Sequence, residues 1–346
     1  MKIAVIGAGL AGRQHIQVIQ KSKRCTLAFV VDPSDESIEL SKTNNFLHFS
    51  NISEALANQN PDAAIIATPN SLHLEHALYF IDRKIPILVE KPLSSDFKSA
   101  LSMVQHAQDR NVRLLTGHHR RHNKLILKAK EKIESGCLGQ IVASHAMCWL
   151  FKPDDYFTSW RKNAGGGPIL INLAHDIDLM RYLIGEIDSV QSFESNLNRS
   201  GKVEDSAVVN LKYENGVIGT LSISDTIVAP WSWEHTSGEN PIYPHQEKSC
   251  YWIGGTHGSL ELPKMISWKS VAERSWWNSQ ESTKDLVIES VNRPLVTQLD
   301  NFISVVLEKA EPICSGNDGL ITLSVIEAIK LAARTGKAIK PRQFLN

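Results

Sequence analysis

KIAVIGAGLAGRQHIQ, residues 2–17, runs a short apolar stretch straight into GAGLAG and then into a segment with helical spacing. The hexamer fits GxGxxG at Gly7, Gly9 and Gly12. Alone that pattern is weak, because glycine turns are common. Its surroundings strengthen it. TLAFVVD, residues 26–32, reads as the next strand and ends at Asp32. Strand, glycine turn, helix, and an acidic residue closing the following strand about 20 residues on form the dinucleotide fingerprint. Gly7 permits the tight turn, and Gly9 lets backbone approach a pyrophosphate at the helix N-terminus. Gly12 allows the helix to lie close on the strand. Asp32 is placed to accept hydrogen bonds from the adenosine ribose hydroxyls. A carboxylate there repels a 2′-phosphate, and no Arg or Lys directly follows it, so NAD is expected over NADP. Flavins and S-adenosylmethionine also bind such folds, so the loop alone leaves the cofactor open.

Working outward, the pattern repeats. FLHFS, PDAAIIATP, PILVEKP and VRLLTGHH are apolar runs, separated by the helical segments ISEALAN, HLEHALYFIDRK and FKSALSMVQHAQDRN. Short apolar strands alternating with helices predict a parallel sheet wrapped on both faces. This texture fills residues 1–121, a Rossmann domain. TPNSLH (68–73) and EKP (90–92) each follow a buried strand. Thr68, Pro69, Asn70, His73, Glu90 and Lys91 therefore fall at the carboxyl edge of the sheet, where ligands bind in open α/β folds. A lysine held there can donate to a substrate oxygen near a nicotinamide ring.

From residue 122 to 346 the texture changes. One helix, about 123–135, leads into period-two alternation. In AVVNLKY, Ala207, Val209, Leu211 and Tyr213 face one way, with Asn210 and Lys212 opposite. GTLSIS repeats this with Leu221 and Ile223, and QIVASHAM, SVQSFES, YWIGG, GSLEL and KDLVIES are further strand candidates. Strands buried on one face predict a large, open, mostly antiparallel sheet, giving an α/β protein with an α+β second domain. The open face invites a second copy, as a homodimer or homotetramer. Residues 321–335 form a terminal helix before Gly336, expected near the domain junction, and 229–249 reads as a long loop.

Composition excludes several classes. Lys plus Arg and Asp plus Glu both total 37, so bulk charge draws neither nucleic acid nor membrane. The basic run HHRRHNK at 118–124 is expected to be a solvated loop. The five cysteines stand apart with no CxxC pair, against a disulfide framework or a metal site. The N-terminus lacks the layout of a secretion signal, and no apolar run approaches a membrane span. A reduced, cytoplasmic protein is the expectation.

Jointly, GAGLAG, TPNSLH, EKPL (90–93), GHHRRHN (117–123), GGGPILINLAHDIDLMRYLIG (165–185) and the tail from Gln298 to Pro341 are specific. The chain resembles the glucose–fructose oxidoreductase/inositol dehydrogenase (Gfo/Idh/MocA) family over nearly its whole length. The resemblance implies NAD(P)-dependent oxidation or reduction of a sugar, polyol or related hydroxyl compound. It implies cofactor contacts from Gly7, Gly9, Leu10, Ala11 and Gly12. By match to EKP, Lys91 would bind substrate and touch the nicotinamide ribose. By match to the glycine-rich helix motif, His175 would be the acid/base.

Taken as a helix at 100° per residue, 168–184 places Leu170, Leu173, Ile177, Met180 and Ile184 on one core-facing stripe. His175 then points nearly opposite, towards solvent, a cleft or another domain, with Asn172 and Asp176 on one edge and Asp178 on the other. Alcohol oxidation removes a hydroxyl proton as hydride leaves the same carbon. A histidine, unperturbed pKa about 6.5, suits the proton, and a cationic Lys91 suits the developing alkoxide. The chain departs from the family's commoner form at Ile171, where many members carry Asp, so Asp176 or Asp178 is left to support the imidazole, or none does. Asn172, which can hydrogen-bond a substrate hydroxyl or the ring, and Asp176 are substrate-binding candidates, and Arg121, Asn123, Trp160 and Arg161 are further ones. An aromatic face beside a guanidinium suits a sugar or a sugar acid. The leading reading is a dehydrogenase with NAD. A glycosidase using NAD transiently and a non-catalytic dinucleotide-binding sensor are the competitors.

Overall fold

The computed structural model describes residues 1–157, 166–199, 201–285 and 293–345. The chain divides into two units, residues 1–122 with 294–323, and residues 123–293 with 324–345.

The first unit holds six parallel strands: β1 (Lys2–Ile6), β2 (Thr26–Val31), β3 (His48–Phe49), β4 (Ala63–Ile66), β5 (Ile87–Val89) and β6 (Leu114–Thr116). Their order is β3-β2-β1-β4-β5-β6, all neighbours parallel. The chain reverses direction across the sheet between β1 and β4, and such a switch point opens a crevice at the strands' carboxyl ends. Ile3, Val5, Val30, Ile65 and Leu88 are buried in a core that the helix Leu10–Lys21 covers with Ile16 and Ile19. This unit also takes in residues 294–323. The helix Pro294–Val306 returns to it, because Leu299, Phe302, Ile303 and Val305 fill the same core. The next helix, Gly316–Thr335, starts five residues before the expected 321, and the division between units falls inside it, after Leu323.

The second unit carries an eight-stranded sheet, ordered β14-β13-β12-β11-β7-β10-β9-β8. Its strands are β7 (Ile141–Trp149), β8 (Ile187–Ser195), β9 (Ser206–Tyr213), β10 (Ile218–Ser224), β11 (Tyr251–Gly255), β12 (Ser259–Leu262), β13 (Ile266–Ser270) and β14 (Gln280–Lys284). Every pairing is antiparallel except β7 with β10. The alternation read from AVVNLKY holds: Ala207, Val209, Leu211 and Tyr213 are buried, and Val208, Asn210 and Lys212 are exposed. Cross-strand pairing puts Phe193 beside Val208, and Ile218 beside Lys212, on that open face. These three apolar side chains are 72%, 51% and 60% exposed.

Residues 229–249 form the expected long loop, interrupted by one helical turn. Ser232 caps a short helix, Trp233–Thr236, by accepting from the His235 N–H. Trp233 is 1% exposed and stacks on Tyr251 with ring centroids 5.6 Å apart. Trp233 thus anchors the segment to the second unit's core, while residues 240–242 and 244–248 stay exposed.

Candidate functional site

In the first unit the site is built from strand ends. Gly7 follows β1 with φ +94°, a conformation that L side chains rarely adopt, and a Cβ there would come within 2.6 Å of the Ala67 carbonyl oxygen after β4. A Cβ on Gly12 would lie 1.9 Å from the Gly7 carbonyl oxygen, so the helix can sit this close only with glycine. A Cβ on Gly9 would meet nothing, leaving that backbone open to a ligand. Asp32 ties the turn to the end of β2. Its Oδ2 accepts from the Ala8 N–H at 2.7 Å, and its Oδ1 accepts from the Ser34 N–H and hydroxyl at 2.9 and 2.5 Å. Burial pushes the Asp32 carboxyl up, but the Ser34 hydroxyl and the Ala8 and Ser34 N–H groups outweigh it and hold the group below its ordinary value. A fixed anion thus stands beside a turn whose backbone is open, which suits a dinucleotide's ribose and pyrophosphate.

The ends of β4 and β5 are locked together. His73, expected as a cofactor contact, is wholly enclosed. Its Nε2 meets the Thr68 carbonyl at 2.9 Å, and its Nδ1 meets the Pro92 and Leu93 carbonyls at 3.1 and 3.3 Å. It ties the 68–72 loop to the 90–93 loop. Burial pushes its imidazole below the ordinary range. Glu90 is likewise buried, with Oε1 2.7 Å from Nε2 of His15 on the first helix. Burial raises the Glu90 carboxyl, but the hydrogen bond and charge of His15 overcome this and hold it at about 2. Lys91, next in chain, is half-buried, and its N–H donates to Glu90 Oε2 at 3.2 Å. Thr68 and Asn70 are half-buried and Pro69 is exposed, leaving them open at the edge.

In the second unit, the glycine-rich motif departs from an even α-helix. Ile169–Leu173 is a π-turn, and the α-helix proper is Ala174–Ile184. π-turns recur at functional sites. The π-turn shifts Leu170 and Leu173 from an even 100° register, while Ala174–Ile184 keeps it and is buried on more than one side. Asp176, Asp178 and Arg181 are 1–3% exposed and His175 is 6% exposed. Partners make this burial tolerable. Tyr251 donates its hydroxyl proton to Asp176 Oδ1. Arg181 clasps Glu186 through two 2.8 Å bonds and lies 4.0 Å from Asp178. From Gly166 to Arg181 only Ile171 and Asn172 are open to solvent.

Other expectations shift as well. The run 118–124 is not a solvated loop: His118, Arg120, Arg121, His122 and Asn123 are 0–4% exposed. Arg121, expected at a pocket, pairs with Asp318 and donates to the Ile313 carbonyl, both at 3.1 Å. Asn123 caps the helix Lys124–Glu134 through Leu125 N–H and donates to Glu239 at 2.7 Å. Both are committed to packing contacts. Trp160 and Arg161 lie outside the described residues. Sequence reasoning missed Lys152, which is 6% exposed and donates from Nζ to Asn172 Oδ1 at 2.5 Å. It also missed Glu204, which accepts from the Ile169 N–H at 3.0 Å and stands where a Cβ on Gly167 would go. Neither lies in a motif, and only the fold brings them to this helix.

Comparison with known proteins bears on this arrangement. A family model described as "Oxidoreductase family, NAD-binding Rossmann fold" matches residues 1–118, and one described as "Oxidoreductase family, C-terminal alpha/beta domain" matches residues 130–340. The 1,5-anhydro-D-fructose reductase of Ensifer adhaerens is 27% identical over 292 residues, covering 83% of this chain and 82% of that protein. The myo-inositol 2-dehydrogenase of Thermotoga maritima is 22% identical and covers 100% of both. Among solved structures, the WlbA dehydrogenase of Bordetella pertussis, in complex with NADH and UDP-GlcNAcA, aligns with a TM-score of 0.78 at 25% identity, covering 98% of each chain.

The buried Glu90–His15 contact carries a pH signature. The Glu90 carboxyl sits below its ordinary 4.5 when folded, so its contribution to stability is complete above 4.5 and is lost as pH falls towards about 2. Glu90→Gln is expected to destabilise the first unit by about 2 kcal/mol near neutral pH, with the deficit against wild type shrinking across that acid range. Thermal melts at a series of pH values check this; a deficit unchanged down to the acid end contradicts it.

Proposed function

Because the chain belongs to the Gfo/Idh/MocA oxidoreductase family, we propose that it is an NAD-dependent dehydrogenase oxidising a secondary hydroxyl of a sugar, polyol, cyclitol or sugar acid. The observation that carries this reading is the Asp32 carboxylate bonded across to the open glycine turn at Ala8. Gly7, Gly9, Leu10, Ala11 and Gly12 would hold the pyrophosphate end of NAD, and Asp32 the adenosine ribose. The bound nicotinamide would supply hydride acceptance. Lys91, half-buried beside an ionised Glu90, would donate to the substrate oxygen as it becomes an alkoxide. The His175 imidazole would take the hydroxyl proton and return it in the reverse direction. Near-complete burial of His175 supports this, since water excluded from a base strengthens its electrostatic coupling to the reacting group.

NADH formation across a panel of polyols, cyclitols, sugars and sugar acids is the first test. Lys91→Ala is expected to abolish turnover while NAD still binds, and His175→Ala to slow it by about 10²-fold or more. Near-wild-type rates in either variant contradict the role given to that residue.

Asp32 sets the cofactor preference in this reading. Asp32→Ala is expected to raise the ratio of NADP to NAD efficiency, and an unchanged kcat/KM ratio overturns the assignment.

The exposed Phe193, Val208 and Ile218 support pairing of the open sheet face with a second copy of the chain. Phe193→Asp is expected to lower the solution mass measured by light scattering. A mass unaffected by that charge places the oligomer contact elsewhere.

A further inference from the structure

Between Gly166 and Arg181 two neighbouring positions are open to solvent, and they have different chemistries. Ile171 is apolar and Asn172 carries an amide. An amide can face a substrate with its oxygen or its nitrogen, and the two choices recognise opposite groups. Here the choice is made from behind. The Lys152 ammonium has hydrogens to give and no lone pair, so the atom it bonds at 2.5 Å must be Asn172 Oδ1. Lys152 itself is held in place. Its backbone N–H donates to the Asp225 carbonyl at 2.9 Å, its carbonyl accepts from Arg199 at 2.9 Å, and its ammonium stands 4.8 Å from the centre of the Tyr156 ring. With Oδ1 bonded to that ammonium, Nδ2 is the donor that this half-buried amide has left to offer. The adjacent carboxylate, Asp225, is committed to Arg199 Nε at 3.0 Å. The open pair thus offers a substrate an N–H donor backed by a buried cation, with no carboxylate at position 171.

We propose that Lys152 and Asn172 form a specificity subsite for a carboxylate group, so that the substrate is a sugar acid or a cyclitol acid. Lys152 is the positioning residue and Asn172 the contact residue. This deepens the dehydrogenase reading and rests on it only for the reaction, because recognition of the acid is a matter of binding. A carboxylate accepts from Nδ2 and gains from the ammonium behind it. A neutral hydroxyl at the same place gains only the hydrogen bond.

The test uses the full-length protein loaded with NADH. Binding of D-glucuronate and D-galacturonate is measured by titration calorimetry beside D-glucose and D-galactose, which differ from them at C6. Wild type is expected to bind the acids about tenfold more tightly or better. Lys152→Met is expected to remove that preference while affinity for the neutral sugars stays, and Lys152→Arg to restore it. Asn172→Asp keeps an acceptor for Lys152, so it is expected to fold normally while rejecting the acids. Equal affinities for acids and neutral sugars in wild type overturn the subsite, as does a Lys152→Met variant that retains the preference or weakens both series equally. Tight acid binding with no NADH formed from NAD, under any pH tried, leaves the subsite standing and overturns the dehydrogenase reading instead.

Discussion

The first unit depends on how closely one helix can approach one turn. Only glycine at position 12 lets Leu10–Lys21 rest against the Gly7 carbonyl. That seat places His15, one turn further along, against Glu90 at the end of a different strand. Glu90 in turn fills the space beside Gly117, where a Cβ would come within 3.0 Å of it. A tight contact at the end of β1 therefore fixes a charged side chain at the end of β5, where Glu90 Oε2 also accepts from the Lys91 backbone N–H.

The second unit meets a different constraint. A helix buried on all sides cannot keep charged groups unless each is met by a partner, since a buried polar group without one costs about 1–3 kcal/mol. Tyr251 meets Asp176, and Glu186 meets Arg181. Tyr251 is itself held by Trp233, whose indole N–H donates to Glu239 at 3.0 Å, the carboxylate that also holds Asn123. A single network thus runs from the start of the Lys124–Glu134 helix through the 229–249 segment to the residue beside His175. Its members are far apart in sequence, so no local pattern announces it.

Legibility followed from how local each signal was. The glycine turn, Asp32 and the parallel strands were readable because each is a short-range pattern with one physical meaning. The inward side chains of β9 and β10 were readable because a half-buried strand must alternate. The strand Gln280–Lys284 was missed because every residue in it is exposed, as befits the edge of a sheet. The π-turn was not legible because nothing in ILINL declares it, whereas the buried stripe of Ile177, Met180 and Ile184 was. The basic run at 118–124 was misread because burial of arginine depends on distant partners such as Asp318. Lys152 and Glu204 escaped for the same reason.

His73 grips the two loops through the carbonyls of Thr68, Pro92 and Leu93. Every amino acid supplies a carbonyl, so this brace is indifferent to the side chains of the residues it joins. Pro69, Ser71 and Leu72 are exposed on the loop it holds. Over evolutionary time such a loop can change its surface residues while its backbone path is held by one imidazole. A lineage descending from this chain can drift in the surface of that edge without first having to rebuild the edge.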